Sequence, residues 1–320
     1  MLMDVLSIMA GLAILVFGGD ALVKGAVNLA LRLGIPALVV GLTVVAFGTS
    51  APELLVSVQA ALNDQAGIAV GNVVGSNIVN VLLILGLPLL LTVIRTSKLD
   101  TRRSYWIMLA AAVLFAGLSF TGPLVWWHGL VLLAGLALML FDNYRISMAH
   151  RAASTEIEVE GAQPGMSGLG IALNLILGLV ALAIGARLLV DGAVNVARVM
   201  GLSETVIGLT LVALGTSLPE LVTSIVAAIR RQADVAMGNV IGSNTFNILG
   251  ILGITSLVAE VPIDPQILRF DNAFMIAVSL LLVPFVVFRR DMGRLTGITF
   301  VAIYVGYCIW LVAGGMAGAA

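Results

Sequence analysis

The chain has 320 residues, of which 60% are hydrophobic and only 10% are charged, and its formal net charge is −1. A soluble globular protein carries about 25% charged residues, so this composition excludes a soluble globule and indicates an integral membrane protein. Apolar runs of roughly 20 residues recur along the whole length, which favours spanning helices over the alternating strands of a membrane barrel.

Ten apolar segments are predicted to be membrane-spanning helices, five in each half of the chain. Their expected ranges are 5–31, 37–62, 67–94, 103–121, 125–148, 168–199, 205–229, 234–258, 270–289 and 295–314. The fold class is therefore an all-α integral membrane protein with two five-helix repeats, at 1–148 and 168–320. The polar segment 149–167 is predicted to be the linker between them.

Lys and Arg residues of the short loops concentrate on one side of the predicted topology. The opposite side carries only Arg198 and Arg269. By the positive-inside rule, the Lys/Arg-rich side is cytoplasmic, so the linker is expected in the cytoplasm and both termini outside, in the inner (plasma) membrane. Because each repeat has an odd number of helices, the second repeat is predicted to be inverted relative to the first, as in many secondary transporters.

Two motifs occur in both halves at a constant offset of 167 residues. Gly-Thr-Ser-x-Pro-Glu stands at 48–53 and again at 215–220. Gly-Asn-x-x-Gly-Ser-Asn-x-x-Asn stands at 71–80 and again at 238–247. Across the two stretches 41–80 and 208–247, 24 of 40 positions are identical. The chain therefore consists of two copies of one unit.

Each copy contributes one carboxylate, Glu53 or Glu220, to apolar surroundings. A charged side chain at the bilayer centre costs about 2.5–3.5 kcal/mol even on the lenient insertion scale. Neither motif contains a Lys or Arg that could pair with its glutamate, so a bound cation is the favoured partner. The alternative is that both glutamates are protonated and hydrogen-bonded.

Further oxygen atoms share the helix face of each glutamate. Ala46, Thr49, Ser50 and Glu53 follow one another at intervals of one, three or four residues and line one side of a helix, as do their counterparts Ala213, Thr216, Ser217 and Glu220. A proline before each glutamate removes a backbone N–H and distorts the preceding turn. This distortion is expected to free carbonyl oxygens near the two threonines, although a kink used only for packing is the alternative.

The next helix of each half adds hydroxyl and amide groups. Ser76, Asn80, Ser243 and Asn247 are candidate ligands. Four other asparagines are equally consistent with ligands or with contacts between helices: Asn72, Asn77, Asn239 and Asn244. Such hard oxygen donors favour Ca²⁺ or Na⁺ over softer metals. Two glutamates balance one Ca²⁺ or two Na⁺, so the two ions exclude each other, as exchange requires.

These doubled motifs resemble the two alpha repeats of the sodium/calcium exchanger family, within the calcium:cation antiporter superfamily. The resemblance covers essentially the whole chain and implies a ten-helix antiporter that exchanges several Na⁺ for one Ca²⁺. It implies that Ca²⁺ is held by both glutamates and by the carbonyls of the threonines upstream. It further implies Na⁺ ligands at eight positions: Ala46, Ser50, Ser76, Asn80, Ala213, Ser217, Ser243 and Asn247. It also suggests that the first helix of each repeat slides across the others.

Three functions of different class are compatible with these residues: a Na⁺/Ca²⁺ antiporter, a Ca²⁺/H⁺ antiporter of the same architecture, and an intramembrane enzyme. The motifs hold no histidine or lysine base, which disfavours the enzyme and, less strongly, the proton antiporter. The expected substrates are Ca²⁺ and Na⁺, and the expected surroundings are the lipid bilayer. We expect no cofactor, no nucleic-acid partner and no obligatory protein partner.

Overall fold

The computed structural model of the chain describes residues 2–63, 66–152, 163, 165–199 and 213–317. These residues form helices joined by short loops, and they include two isolated bridges but no β-strand. The prediction of an all-α fold is confirmed for this part of the chain.

The helices of the first half are α1 (Leu2–Leu33), α2 (Ala37–Thr49), α3 (Ala51–Leu62), α4 (Ala66–Val79), α5 (Gly86–Leu91), α6 (Arg102–Ser119) and α7 (Trp126–Ala152). Those of the second half are α8 (Gly168–Val199), α9 (Ala213–Thr216), α10 (Leu218–Ile229), α11 (Ala233–Phe246), α12 (Gly253–Val258), α13 (Asn272–Leu280), α14 (Val283–Val286) and α15 (Arg294–Ala317). Wider π-helical turns follow α4 at Asn80–Ile84 and α11 at Asn247–Leu252.

Seven helical stretches of the described residues are long and apolar enough to span a membrane. The pair α2 and α3 adds an eighth if its two parts form one span. Helix α10 is apolar but shorter, and the start of its predicted span, 205–229, lies outside the described residues. The chain is thus a helical membrane protein.

Two helices are interrupted at equivalent serines. Helices α2 and α3 meet at Ser50 with a bend of 44°, and α9 and α10 meet at Ser217. In both cases a proline, Pro52 or Pro219, lies in the first turn after the interruption. A proline is tolerated there because the first helical N–H groups have no partner within the helix. Each break leaves its glutamate in the first turn of the following helix.

Helices α1 and α8 pack against each other through glycines that recur every seven residues along each helix. They are Gly11, Gly18 and Gly25 on α1 and Gly178, Gly185 and Gly192 on α8. A Cβ atom added at Gly11 would lie 2.7 Å from the backbone nitrogen of Leu189, and one added at Gly178 would lie 2.7 Å from that of Leu22. Small residues allow membrane helices to approach at backbone distance. The sequence therefore fixes these two long helices as one closely packed pair, which contains none of the predicted ligands.

The larger apolar core lies elsewhere, around α4, α6 and α11. It includes Tyr105 and Phe115 of α6, both fully buried, together with most of the apolar side chains of α4 and α11. The helices that carry Ser76 and Ser243, and the turns after them that carry Asn80 and Asn247, therefore belong to the larger apolar core.

We expect Gly178→Ala to destabilise the protein, because the added methyl group meets the backbone of α1. Overpacking of this kind costs about 1–3 kcal/mol. Gly117→Ala on α6 is the matched control, since no atom lies within 4 Å of the added Cβ. Thermal unfolding of both variants in detergent measures the difference. Equal melting temperatures for the two variants would contradict the close packing of α1 and α8.

Candidate ion-binding site

Glu53 and Glu220 occupy equivalent places in the two halves. Each lies in the first turn of the helix after the break, α3 or α10, and each is only 1% exposed. Acidic groups are favoured at helix N-termini, where the backbone N–H groups point toward them. The breaks therefore place both carboxylates inside the protein and partly compensate for their burial.

Two serines link the glutamates across the halves. Ser50 Oγ donates a hydrogen bond to Glu220 Oε1 at 3.0 Å, and Ser217 Oγ donates one to Glu53 Oε1 at 3.2 Å. Each serine is the residue at a helix break, and each reaches the carboxylate of the other half. The two copies of the Gly-Thr-Ser-x-Pro-Glu motif thus contact each other through their serines and glutamates.

Several buried oxygen atoms of this region have no hydrogen-bond partner among the described residues. They are Glu53 Oε2, Glu220 Oε2, Asn80 Oδ1, Asn247 Oδ1 and Ser243 Oγ. Buried polar atoms are nearly always hydrogen-bonded, so each exception calls for a specific explanation. Four of the five are pure acceptors, two in each half, and a cation satisfies acceptors directly.

The remaining predicted residues extend the cluster. Ser217 Oγ also lies 3.4 Å from Ser76 Oγ. Thr49 Oγ1 lies 3.3 Å from the carbonyl oxygen of Ala46 and 3.2 Å from Asn239 Oδ1. The Ala46 carbonyl also accepts the backbone N–H of Ser50 at 3.0 Å.

In the second half, Thr216 is the last residue of α9. It is half-buried and is not free of interactions. Ala213 begins the same helix, and its side chain is not among the parts described. Ser50 and Ser217 thus contact the glutamates directly, and Ser76 joins them through Ser217. Thr49 and Ser50 both bond to the Ala46 carbonyl, whereas Ala213 and Thr216 are located only by their helix.

Asn72 and Asn239 hold the glutamate-bearing helices in place. Asn72 Nδ2 donates to the carbonyl oxygen of Glu53 at 3.4 Å and to Ser57 Oγ at 3.1 Å. Asn239 Nδ2 makes the equivalent bonds to the carbonyl oxygen of Glu220 at 3.2 Å and to Ser224 Oγ at 3.1 Å. The sequence left these asparagines open between ligands and helix contacts, and their hydrogen bonds favour helix contacts.

Asn77 and Asn244 join the two halves directly. Asn77 Nδ2 donates to the carbonyl oxygen of Asn244, and Asn244 Nδ2 donates to that of Asn77, both at 3.3 Å. Their side-chain oxygens in turn accept Asn247 Nδ2 at 3.2 Å and Asn80 Nδ2 at 2.8 Å. The repeated motif marks these positions but cannot reveal that their partners lie in the other half.

The chemistry of the cluster is that of hard oxygen donors. Within the described residues, no group of three or more His, Cys, Asp or Glu side chains is placed to hold a metal. A cation between the two glutamates would therefore complete its coordination with hydroxyl, amide and carbonyl oxygens. That donor set suits Ca²⁺ and Na⁺ rather than zinc or copper.

Comparison with known proteins places the chain among transporters. The family model described as "Sodium/calcium exchanger protein" matches residues 3–144 and 171–313. Inner membrane protein YrbG of Escherichia coli is 36% identical, over 97% of this chain and 96% of that protein. Sodium/calcium exchanger MaX1 of Methanosarcina acetivorans is 35% identical, over 96% of this chain and 97% of that protein.

A solved structure agrees with these sequence matches. The sodium-calcium exchanger NCX_Mj, in crystals soaked with Na⁺ and without Ca²⁺, superposes with a TM-score of 0.81 at 35% identity and covers 95% of this chain and 97% of its own. The relatives are transporters and not enzymes. As its paired motifs indicate, the chain belongs to the sodium/calcium exchanger family.

Proposed function

We propose that this protein is an antiporter that exchanges Na⁺ for Ca²⁺ by alternating access to one site near the middle of the membrane. The observation that carries the proposal is the pair of buried glutamates. Each accepts a hydrogen bond from a serine of the other half on one oxygen, while its second oxygen has no partner among the described residues. An uncompensated buried carboxylate is costly, and a transported cation supplies the missing charge.

The proposed Ca²⁺ ligands are the side chains of Glu53 and Glu220 and the carbonyl oxygens of Thr49 and Thr216. The proposed Na⁺ ligands extend to Ala46, Ser50, Ser76, Asn80, Ala213, Ser217, Ser243 and Asn247. The charge of two carboxylates matches one Ca²⁺ or two Na⁺, so one ion species displaces the other. The unpartnered oxygens of both glutamates and of Asn80 and Asn247 support this assignment.

We further propose the ten-helix architecture with inverted repeats at 1–148 and 168–320 and a cytoplasmic linker at 149–167. Reciprocal hydrogen bonds support a two-fold relation, because the bonds of Ser50 and Asn72 to the glutamates have counterparts displaced by 167 residues, at Ser217 and Asn239. The glycine contacts of α1 and α8 share this offset. Since that helix pair carries no proposed ligand, its sliding past the core would expose the site without dismantling it.

A flux measurement separates the two antiporter mechanisms. Protein reconstituted in vesicles should take up Ca²⁺ when an outward Na⁺ gradient is imposed and the pH gradient is collapsed with an ionophore. Vesicles with equal Na⁺ on both sides provide the control. Uptake that follows the pH gradient and ignores Na⁺ would replace the proposal with Ca²⁺/H⁺ exchange.

Glu53→Gln and Glu220→Gln should each reduce Ca²⁺ affinity by more than about a hundredfold. Removing one member of a buried ionic interaction costs about 3–5 kcal/mol, and glutamine keeps the shape of the side chain and an acceptor for its serine. Ca²⁺ binding to the purified variants and flux in vesicles measure the loss. The control is Gln59→Glu on α3, the reverse substitution at an exposed position outside the cluster. Parent-like Ca²⁺ exchange by either glutamine variant would refute the site.

The proposed orientation is tested with single cysteines in two exposed acidic loop positions, Asp100 and Glu260. The native Cys308 is first replaced by serine. In intact cells, a membrane-impermeant thiol reagent should label Glu260→Cys, which is expected outside, and leave Asp100→Cys unlabelled until the membrane is opened. The reverse pattern would invert the topology.

A further inference from the structure

Four buried asparagines form a closed set of hydrogen bonds between the two halves. They are Asn77 and Asn80, at the end of α4 and in the turn after it, and Asn244 and Asn247, at the end of α11 and in the turn after it. All four are no more than 2% exposed. Each hydrogen bond in the set crosses from one half to the other.

The direction of these bonds is fixed by two backbone carbonyls. A carbonyl oxygen only accepts, so the side chain facing it must present its amide nitrogen. The nitrogen of Asn77 therefore faces the carbonyl of Asn244, and the oxygen of Asn77 is left to accept a bond. Asn247 must then present its own nitrogen to that oxygen. The same sequence of constraints, with the halves exchanged, applies to Asn244 and Asn80.

The consequence is that the oxygens of Asn80 and Asn247 are turned away from the set. Both atoms are buried and have no hydrogen-bond partner among the described residues. Ser76 lies one turn before Asn80 on the same helix face, and Ser76 contacts Ser217, which donates to Glu53. On α11, Asn239 lies two turns before Asn247 on the same helix face and donates to the carbonyl oxygen of Glu220. Asn80 and Asn247 therefore lie on the helix faces that contact the glutamate-bearing segments.

We propose that Asn77 and Asn244 are positioning residues: by binding the amide nitrogens of Asn247 and Asn80, they hold the amide oxygens of these two residues toward the transported ion. This assignment rests on the proposed function, because Asn80 and Asn247 are its Na⁺ ligands. Neither Asn77 nor Asn244 contacts the ion. Their role requires an amide, since an aspartate would direct a second acceptor at the facing carbonyl.

The test is a double-mutant cycle on Asn77 and Asn247. Asn77→Ala should raise the Na⁺ concentration for half-maximal exchange about five- to tenfold, the effect of losing one buried hydrogen bond. Residues that act through each other give non-additive effects. The double variant Asn77→Ala/Asn247→Ala should therefore differ from Asn247→Ala by less than about twofold. Asn244→Ala and Asn80→Ala should repeat this pattern in the other half.

Thr245→Val is the matched control. Thr245 is buried beside Asn244 on α11, but its hydroxyl donates at 2.7 Å to Ile241 of its own helix. Its loss should change thermal stability without changing the Na⁺ dependence. If Asn77→Ala does not fold, Asn77→Ser takes its place, with the same non-additivity expected.

Two results would overturn the positioning role: additive effects in the cycle, or variants that lose stability but keep the parent Na⁺ dependence. Cation-induced shifts of the melting temperature are recorded for every variant alongside flux. A parent protein that binds cations without exchanging them would refute the proposed antiport and still allow the cycle to be completed by binding. A parent that does neither refutes both.

Discussion

The structure depends on the burial of two carboxylates in a chain that has little else with which to neutralise them. Glu53 and Glu220 lie inside an apolar protein, and one oxygen of each accepts a hydrogen bond from a serine hydroxyl. These bonds satisfy one oxygen of each glutamate, but a hydroxyl group supplies no positive charge. In the proposed exchange, a cation supplies the missing positive charge, and its departure is possible because another cation can take its place.

The interruptions of the helices are explained by the burial of these two carboxylates. An unbroken helix would place its glutamate in the middle of a turn, where the backbone N–H groups are already bonded. Beginning a new helix at Ala51 or Leu218 brings a glutamate into its first turn, where free N–H groups face it. The prolines that follow the breaks keep the interruption without adding an unsatisfied N–H.

Much of this site is readable from the sequence, because repetition identifies functional positions when a single motif cannot. The glutamates and the serines at the breaks contact each other across the halves, and Asn80 and Asn247 bond to asparagines of the opposite half. The roles of the other asparagines are not readable in this way, since they depend on which atoms face each other across the halves. Helical spacing places Asn77 on α4, but only the fold brings it against Asn244. Residues 200–212, where one predicted span begins, lie outside the described part of the chain.

Charge and geometry at the proposed site are set by the same hydrogen bonds. The asparagine set requires a nitrogen donor at each of its four positions, so ionised aspartates cannot replace its members without leaving facing oxygens unpaired. This requirement keeps the four asparagine positions neutral. A third buried carboxylate would hold a divalent ion more strongly and slow its release, whereas neutral amides add ligands without adding charge. In the proposed exchange, the bonds that join the halves therefore also keep these ligands neutral, and the two glutamates alone match the charge of one Ca²⁺ or two Na⁺.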